Sequence, residues 1–446
     1  MSASARPTSA MADRAVEARL LAGAVLLVAF AGILLGWSMA RDLPPAGIVT
    51  GIALAVTALV AHAAVRATAP AADPVILPLA MLLTGFGLVF IRRIDLATGG
   101  ELAAAQTAWT AVAVGLMCAF LLFVHDIRLL ARYQYTVGLA TVILLLLPTV
   151  PLLSAGVING ARLWIDVFGM RVQPGEVAKL TLVLFLASYL ERNRQLLAVA
   201  TERIGPVLVP AARHLAPIVV AAAIAIMAMT GLRDLGSAVL VFGTFIVMLY
   251  AATGRIAYPL FGAAVFGLAT FFVAHQFDHV QRRIDIWLDP WTDLQDTGYQ
   301  IVQSLFALGT GGLTGTGLGL GRPQDVPFAA TDAMFVVIGE ELGLLGATAI
   351  LVVYVLLVGR GLHIAQAARD EFSSLVALGL TVTLALQVFV IIGGLTRVVP
   401  LTGITLPFVS YGGSSLVANF LIVAGLLRIS ATSRSAARGP KVRAQR

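Results

Sequence analysis

Apolar runs long enough to cross about 30 Å of hydrocarbon recur along the whole chain. They fall at 20–40, 47–67, 74–91, 105–125, 134–154, 174–190, 213–230, 235–252, 256–275, 333–358, 374–393 and 406–429. Bilayer interior offers backbone groups no water, so each run must satisfy its own hydrogen bonds and is predicted to be a helix. The pattern predicts an all-α, polytopic integral membrane protein with about twelve transmembrane helices. The first run is too long for a signal-peptide core and lacks a clear cleavage site, so it is read as retained.

Polar stretches break the pattern unevenly. Residues 1–19 and 431–446 are small, polar and basic, and are expected to be disordered tails. Most connections are short, but 276–332 is a long segment between two spans. It carries Trp287, Trp291, Tyr299, Phe306 and Phe328 among Arg282, Arg283, Asp289, Asp293 and Asp296, a composition that argues for order and use. Within it, apolar residues from Thr297 to Leu308 are spaced for a short helix on or dipping into the membrane surface. Seven glycines follow in the thirteen residues 309–321. Such a stretch can line an anion site with backbone N–H groups. It lacks the Gly-Lys-Ser/Thr ending and the preceding strand of a nucleotide loop, so a turn permitting close packing is the more ordinary reading.

Composition agrees with the pattern: 59% of residues are hydrophobic, 12% are charged and the mean hydropathy is +0.94, outside the range of a soluble domain. The net charge of +7 calls for no nucleic acid, because basic tails beside helix ends meet anionic headgroups. Arg6, Arg14, Arg19, Arg428, Arg434, Arg438, Lys441, Arg443 and Arg446 bias both termini toward the cytoplasm, while the internal loops are balanced. Cys118 is alone, which excludes an intramolecular disulfide. The six histidines are scattered and read as surface or interfacial residues.

Chemistry concentrates elsewhere. Lys179 is one of only two lysines, and Glu176 lies three residues before it on the same helical face, at the start of the run after Gln173-Pro-Gly. An ionisable pair at membrane depth is expensive and marks a functional cavity by default. Asn159, Arg162, Trp164, Asp166 and Arg171 precede it. Arg233-Asp234-Leu-Gly-Ser stands between two short spans, where a broken helix presents free end groups. Pro400 to Ser415, after Arg397, reads as an irregular segment lining a cavity. With both termini inside, all these segments share the extracytoplasmic face.

In order along the chain, five stretches resemble the shape, elongation, division and sporulation family, the family of RodA, FtsW and SpoVE. They are Asn159-Gly-Ala-Arg through Lys179; Asp234-Leu-Gly-Ser-Ala; Arg283 through Trp287-Leu-Asp-Pro and Gly298-Tyr-Gln-Ile-Val-Gln-Ser; Thr331-Asp332 with Gly339-Glu-Glu-Leu-Gly-Leu; and Pro400-Leu-Thr-Gly through Pro407-Phe-Val-Ser-Tyr-Gly-Gly-Ser-Ser. The resemblance covers about 74–430, and the length and modest tails are nearer RodA than FtsW. The chain departs from the family's usual pattern at Gly175, Ala330, Ala333-Met334 and Ala105. The last of these weakens any phosphate contact carried over to the loop before Gln106.

The resemblance implies a ten-helix core at 68–430, including the extracytoplasmic loop 276–332, with two extra helices at 20–67. It implies a plasma-membrane glycosyltransferase that polymerises lipid II into peptidoglycan strands beside a class B penicillin-binding protein, for elongation or division. The family's essential aspartate falls on Asp332, and its helix-borne acid and base fall on Glu176 and Lys179. The implied reaction inverts an α-linked donor, which needs one general base and not a pair of carboxylates. Asp332, where the polar loop meets an apolar helix, suits that work, although the position equally suits a carboxylate favoured by a helix dipole. Arg162, Arg171, Arg282, Arg283 and Arg397 are the candidate diphosphate ligands. A divalent cation, magnesium or manganese, held by Asp332 and the diphosphate is the alternative. A flippase for lipid-linked precursors is the competing reading, since broken helices and a buried ion pair also suit a carrier.

Overall fold

The computed structural model describes residues 9–40, 45–158, 160–167, 169–198, 202–204, 207–209, 219–220, 223, 226–227, 229–294 and 298–438. Its helices are α1 (Ser9–Ala40), α2 (Pro45–Thr68), α3 (Ile76–Thr98), α4 (Leu102–Phe123), α5 (Gln134–Leu146), α6 (Pro174–Ala198), α7 (Leu235–Thr253), α8 (Ala257–Gln276), α9 (Asp278–Leu288), α10 (Tyr299–Gly311), α11 (Met334–Gln366), α12 (Glu371–Leu395) and α13 (Gly413–Arg438). Among the described residues, strands are confined to two small antiparallel hairpins, β1 (Ile165–Val167) with β2 (Met170–Val172) and β3 (Glu202–Ile204) with β4 (Val207–Val209).

Among the described residues, nine helical segments are long and apolar enough to cross a bilayer. The charges near its ends set α6 apart from them, and α8 has a shorter apolar stretch, Ala257–Phe272. The expected span 213–230 lies largely outside the described residues. The all-α polytopic class is as the pattern predicts, and about twelve spanning helices remain consistent with it.

Local sequence sets the helix ends. Pro174 opens α6, where its missing N–H costs nothing. Asp234 caps α7 by accepting from the Ser237 N–H at 3.0 Å, and Asp370 caps α12 by accepting from Ser373 at 3.1 Å. Gly99 and Gly254 close α3 and α7 in the left-handed conformation. Once assembled, α13 and α3 are the most enclosed helices, whereas α2 and α5 turn most of their surface outward. Phe90, Leu77, Phe372 and Phe420 are among the side chains closed off from solvent. Exposed Leu26, Phe30, Leu59, Phe261 and Val355 give the bundle an apolar outer surface suited to lipid.

Two expectations need correction. The stretch 9–19, expected as disordered tail, is helical, and so is 431–438. Arg14 and Glu17 are buried and paired, His62 Nδ1 lies 2.7 Å from Glu17, and Arg434 bridges to Asp13 at 3.3 Å. Arg14 and Arg434 both donate to the Ala72 carbonyl. Asp13 and Arg434 join the two ends directly, and both ends meet at the Ala72 carbonyl, which neither segment's composition can reveal. The last span also begins at Gly413, not 406, because Arg397, Gly403 and Phe408 take positive φ and hold 398–412 as irregular chain.

Candidate active site

Four helices, α6, α7, α11 and α13, begin around the irregular segment 398–412. The Gln173 N–H donates to Ser414 Oγ at 2.9 Å, tying the head of α6 to that of α13. A Cβ on Gly236 would meet Thr402 and Ile404, so α7 starts against the same segment. Ser410 donates to the Thr331 carbonyl, and the Tyr411 N–H donates to Ala330 at 2.7 Å, which docks the lead-in to α11. From α4, Gln106 grips the segment from both sides: its Nε2 donates to Ser410 O at 3.2 Å and its Oε1 accepts from the Gly412 N–H at 3.1 Å. Helix N-termini carry partial positive charge, so this face favours an anionic ligand.

Asp332 stands at this junction, half-buried, two residues before α11. Its Oδ2 accepts from Gln300 Nε2 of α10 at 3.1 Å, and its Oδ1 accepts from Thr331 Oγ at 2.9 Å. Gly403, at φ +70°, brings bare backbone past the carboxylate; a Cβ there would sit 3.8 Å from Oδ2. Burial pushes the Asp332 carboxyl above the usual carboxylate range, against the opposing pull of the Gln300 and Thr331 donors and of the Arg283 charge. Arg283 of α9 donates to Leu401 O at 3.0 Å and feels both Asp234 and Asp332. Burial lowers its pKa, and the two carboxylates oppose that shift.

The other candidate cations divide by what they touch. Arg162, Arg171 and Arg282 are exposed, the first two on the 160–172 loop and hairpin, and none has a partner among the described residues. Arg397 is engaged: Nε and Nη2 donate to Trp287 O, and Nη2 also reaches Leu288 O at 2.9 Å. Trp287 Nε1 answers with a bond to Arg397 O at 3.0 Å. Arg397 therefore satisfies the carboxyl end of α9 and fixes α9 against 398–412. Lys179 Nζ and Glu176 Oε1 form the expected pair at 3.0 Å, both buried. Lys179 borders a pocket between α6, α7 and α12, otherwise lined largely by apolar residues such as Leu182 and Val241, with Thr244 and Thr383.

The glycine-rich stretch packs against the broken start of α11. Gly343, at φ 64° and ψ −168°, interrupts the helix. A Cβ on Gly311 or Gly315 would lie 2.1 or 2.2 Å from the carbonyl oxygens of Gly339 or Glu341. The Thr316 and Gly317 N–H groups donate to the same turn, to Glu340 O at 2.9 Å and Glu341 O at 3.0 Å. Glu341 pairs with Arg93 of α3 at 2.6 Å and accepts from the Gly319 N–H at 2.8 Å. The glycines here serve close packing, the ordinary reading of the motif.

Among the described residues, no group of three or more His, Cys, Asp or Glu could hold a metal. Asp332 offers a single carboxylate whose oxygens already accept from two donors, with Arg283 as the near charge. That donor set does not fit a resident protein-held cation, and a cation there would need its remaining ligands from substrate.

The model of the cell cycle protein family, that of FtsW, RodA and SpoVE, matches residues 74–435. The chain belongs to this family. The peptidoglycan glycosyltransferase RodA of Mycobacterium tuberculosis (strain ATCC 25618 / H37Rv) is 44% identical over 380 residues, covering 84% of this chain and 81% of that protein. Stage V sporulation protein E of Bacillus subtilis (strain 168) is 39% identical over 295 residues, covering 66% of this chain and 76% of that protein. A solved structure described as "Structural coordination of polymerization and crosslinking by a peptidoglycan synthase complex" aligns with a TM-score of 0.66 at 27% identity, covering 81% of this chain and 98% of that one. α1 and α2 precede the family match.

Two partners of the site carried no sequence signal of their role. Gln300 lies in a family-like stretch but 32 residues from Asp332, and only the fold brings α10 under the carboxylate. Asp234 reads as part of a break between two short spans and caps α7; its influence on Arg283 depends on α7 and α9 sharing one face.

Proposed function

We propose that this multi-pass family member is a peptidoglycan glycosyltransferase that joins lipid II units, with Asp332 as the general base. It sits in the plasma membrane with both termini in the cytoplasm, which places Asp332 on the outer face. The catalytic core is 68–430. The observation that carries the reading is the Asp332 carboxylate: half-buried, raised in pKa, held by neutral donors and, among the described residues, in no direct ion pair, at the meeting of four helix N-termini.

The chemistry follows from that setting. A sugar hydroxyl of the acceptor attacks the anomeric carbon of the donor, and Asp332 takes its proton. A new carbon–oxygen bond forms on one face of the ring, while the bond to the polyprenyl diphosphate breaks on the other with its electron pair. One inverting displacement accounts for an α donor and a β product with a single base. A raised pKa makes Asp332 a stronger base than a surface carboxylate. Gln300 and Thr331 fix the direction of its oxygens. Arg162, Arg171 and Arg282 are available to the departing diphosphate, Arg283 holds positive charge beside Asp332, and Arg397 sets the position of α9. Glu176 and Lys179 neutralise one another and organise the neighbouring cavity.

A class B penicillin-binding protein is the proposed partner, consistent with the complex of polymerising and crosslinking activities described for the solved relative. The purified chain, with and without that transpeptidase, is to be incubated with lipid II in detergent. Glycan polymer from wild type and none from Asp332→Asn supports the reading. Lipid II crossing vesicle membranes with no polymer formed would overturn it in favour of a carrier.

A further inference from the structure

An open groove between α1, α2 and α3, with a cavity volume of about 30 Å3, is lined by Val28, Gly32, Gly36, Gly51, Arg92 and Leu96. Its walls are partly bare backbone: a Cβ on Gly32 would meet nothing within 4 Å, and one on Gly51 only Ala29, at 3.8 Å. Arg92 is half-buried and makes no hydrogen bond or ion pair among the described residues. Its neighbour Arg93 is spent on Glu341 and on Gly321 O at 2.7 Å. Successive helix positions point about 100° apart, so the two guanidinium groups serve different sides of α3. The bond to Gly321 also sets the depth: Arg92 lies on the same membrane face as the glycine-rich loop, about 9 Å inside the end of α3.

An unpaired guanidinium at the edge of the hydrocarbon calls for an anion. Guanidinium grips phosphate with two parallel bonds. The groove beside it, roofed by small residues, suits a hydrocarbon chain attached to that phosphate. None of α1, α2 or α3 supplies a residue bonded to Asp332, which favours a lipid of the surrounding leaflet over the prenyl chain of a substrate. We propose that this groove binds one anionic phospholipid, its phosphate on Arg92 and one acyl chain laid along Gly32, Gly36 and Gly51. The site belongs jointly to the two helices that precede the family match and to the first helix within it, so the lipid cements that pair to the core.

The test uses the full chain in detergent with added palmitoyl-oleoyl phosphatidylglycerol, and native mass spectrometry counts retained lipid. Wild type is expected to hold one phosphatidylglycerol and not to hold palmitoyl-oleoyl glycerol, which lacks the phosphate. Arg92→Gln and Gly32→Leu are each expected to lower retention about tenfold, and Arg92→Lys to restore part of it. Arg132→Gln, at an exposed arginine elsewhere, should leave retention unchanged. Gly32→Leu keeps the test open if Arg92→Gln does not fold, because nothing crowds that position. Unchanged retention in folded Arg92→Gln or Gly32→Leu would overturn the proposal. So would equal retention of the phosphate-free lipid, or displacement of phosphatidylglycerol by an equal amount of undecaprenyl phosphate.

Discussion

Asp332 and Glu341 stand nine residues apart on either side of the start of α11, yet the fold treats them oppositely. Glu341 is fully buried and compensated: Arg93 at 2.6 Å, the Gly319 N–H at 2.8 Å, and the glycine-rich chain wrapped over the break at Gly343. Asp332 is half-buried, has among the described residues the neutral side-chain donors Gln300 and Thr331 on its oxygens, and meets Arg283 as a charge at longer range. A carboxylate whose oxygens are taken by an arginine and by a backbone N–H has no open side for a substrate proton. A carboxylate held by neutral side-chain donors at the mouth of a loop remains able to accept one, at the cost of some stability. The contrast separates a residue that holds the fold from one placed to react.

The largest expected effect breaks the comparison at its reactive end. Asp332→Asn should lower the polymerisation rate by about 10²–10⁴-fold, the usual worth of a general base. Its melting temperature at pH 7 should not fall. The sign follows from linkage: the folded pKa of Asp332 is raised, so its contribution to stability is full below the unfolded pKa and is lost as pH rises through the folded one. At neutral pH the ionised carboxylate therefore opposes folding, and the neutral amide relieves that. A sharp loss of thermal stability in Asp332→Asn would make the two carboxylates alike and end the distinction.

At the other end, Glu341→Gln should cost about 3–5 kcal/mol in unfolding free energy, because Arg93 is left buried without its counter-charge. The folded fraction should keep near-normal turnover. Replacing both residues with methionine should recover much of the loss, since a removed pair leaves no orphan charge. Lys179→Ala belongs to the same class and the same range, with reduced activity following largely from loss of folded protein. Chemical denaturation monitored in detergent checks all three.

Gly315→Ala probes the wrapping of the loop itself. Gly315 sits at φ +84° and an added Cβ would lie 2.2 Å from Glu341 O. The expected cost is about 1–3 kcal/mol, read as a lowered melting temperature. The smallest effect is on the pH profile. The rate should rise with pH as Asp332 loses its proton, and Arg283→Gln should move that rise upward by up to about one pH unit, because a cation that favours the charged form is gone. A rise that stays in place would mean that Arg283 does not reach Asp332 electrostatically.

Period and composition were enough to read the spans, because each helix must bury or expose its residues by a local rule. Glu176 and Lys179 were legible for the same reason: three positions apart on a helix is contact. The packing use of the glycines was legible too, from the missing lysine of a nucleotide loop. What stayed hidden is long-range. Arg93 and Glu341 are 248 residues apart, and Gln300 meets Asp332 only across the long 312–333 loop between α10 and α11. Arg397 reads as a phosphate ligand until α9 is placed beside it with carbonyls to satisfy. Residues 9–19 and 431–438 read as tails by composition, and only the fold brings Asp13 to Arg434.

That last point bears on how the protein is made. Asp13 and Ala72 bond to Arg434, the Asp73 N–H donates to Ser430 Oγ, and Arg428 donates to the carbonyls of Thr68 and Leu121. Synthesis runs from the amino end, so the first helix reaches the bilayer long before its counterparts leave the ribosome. Asp13 can meet Arg434 only after the whole core has been inserted, so the bundle is latched there by the far end of α13.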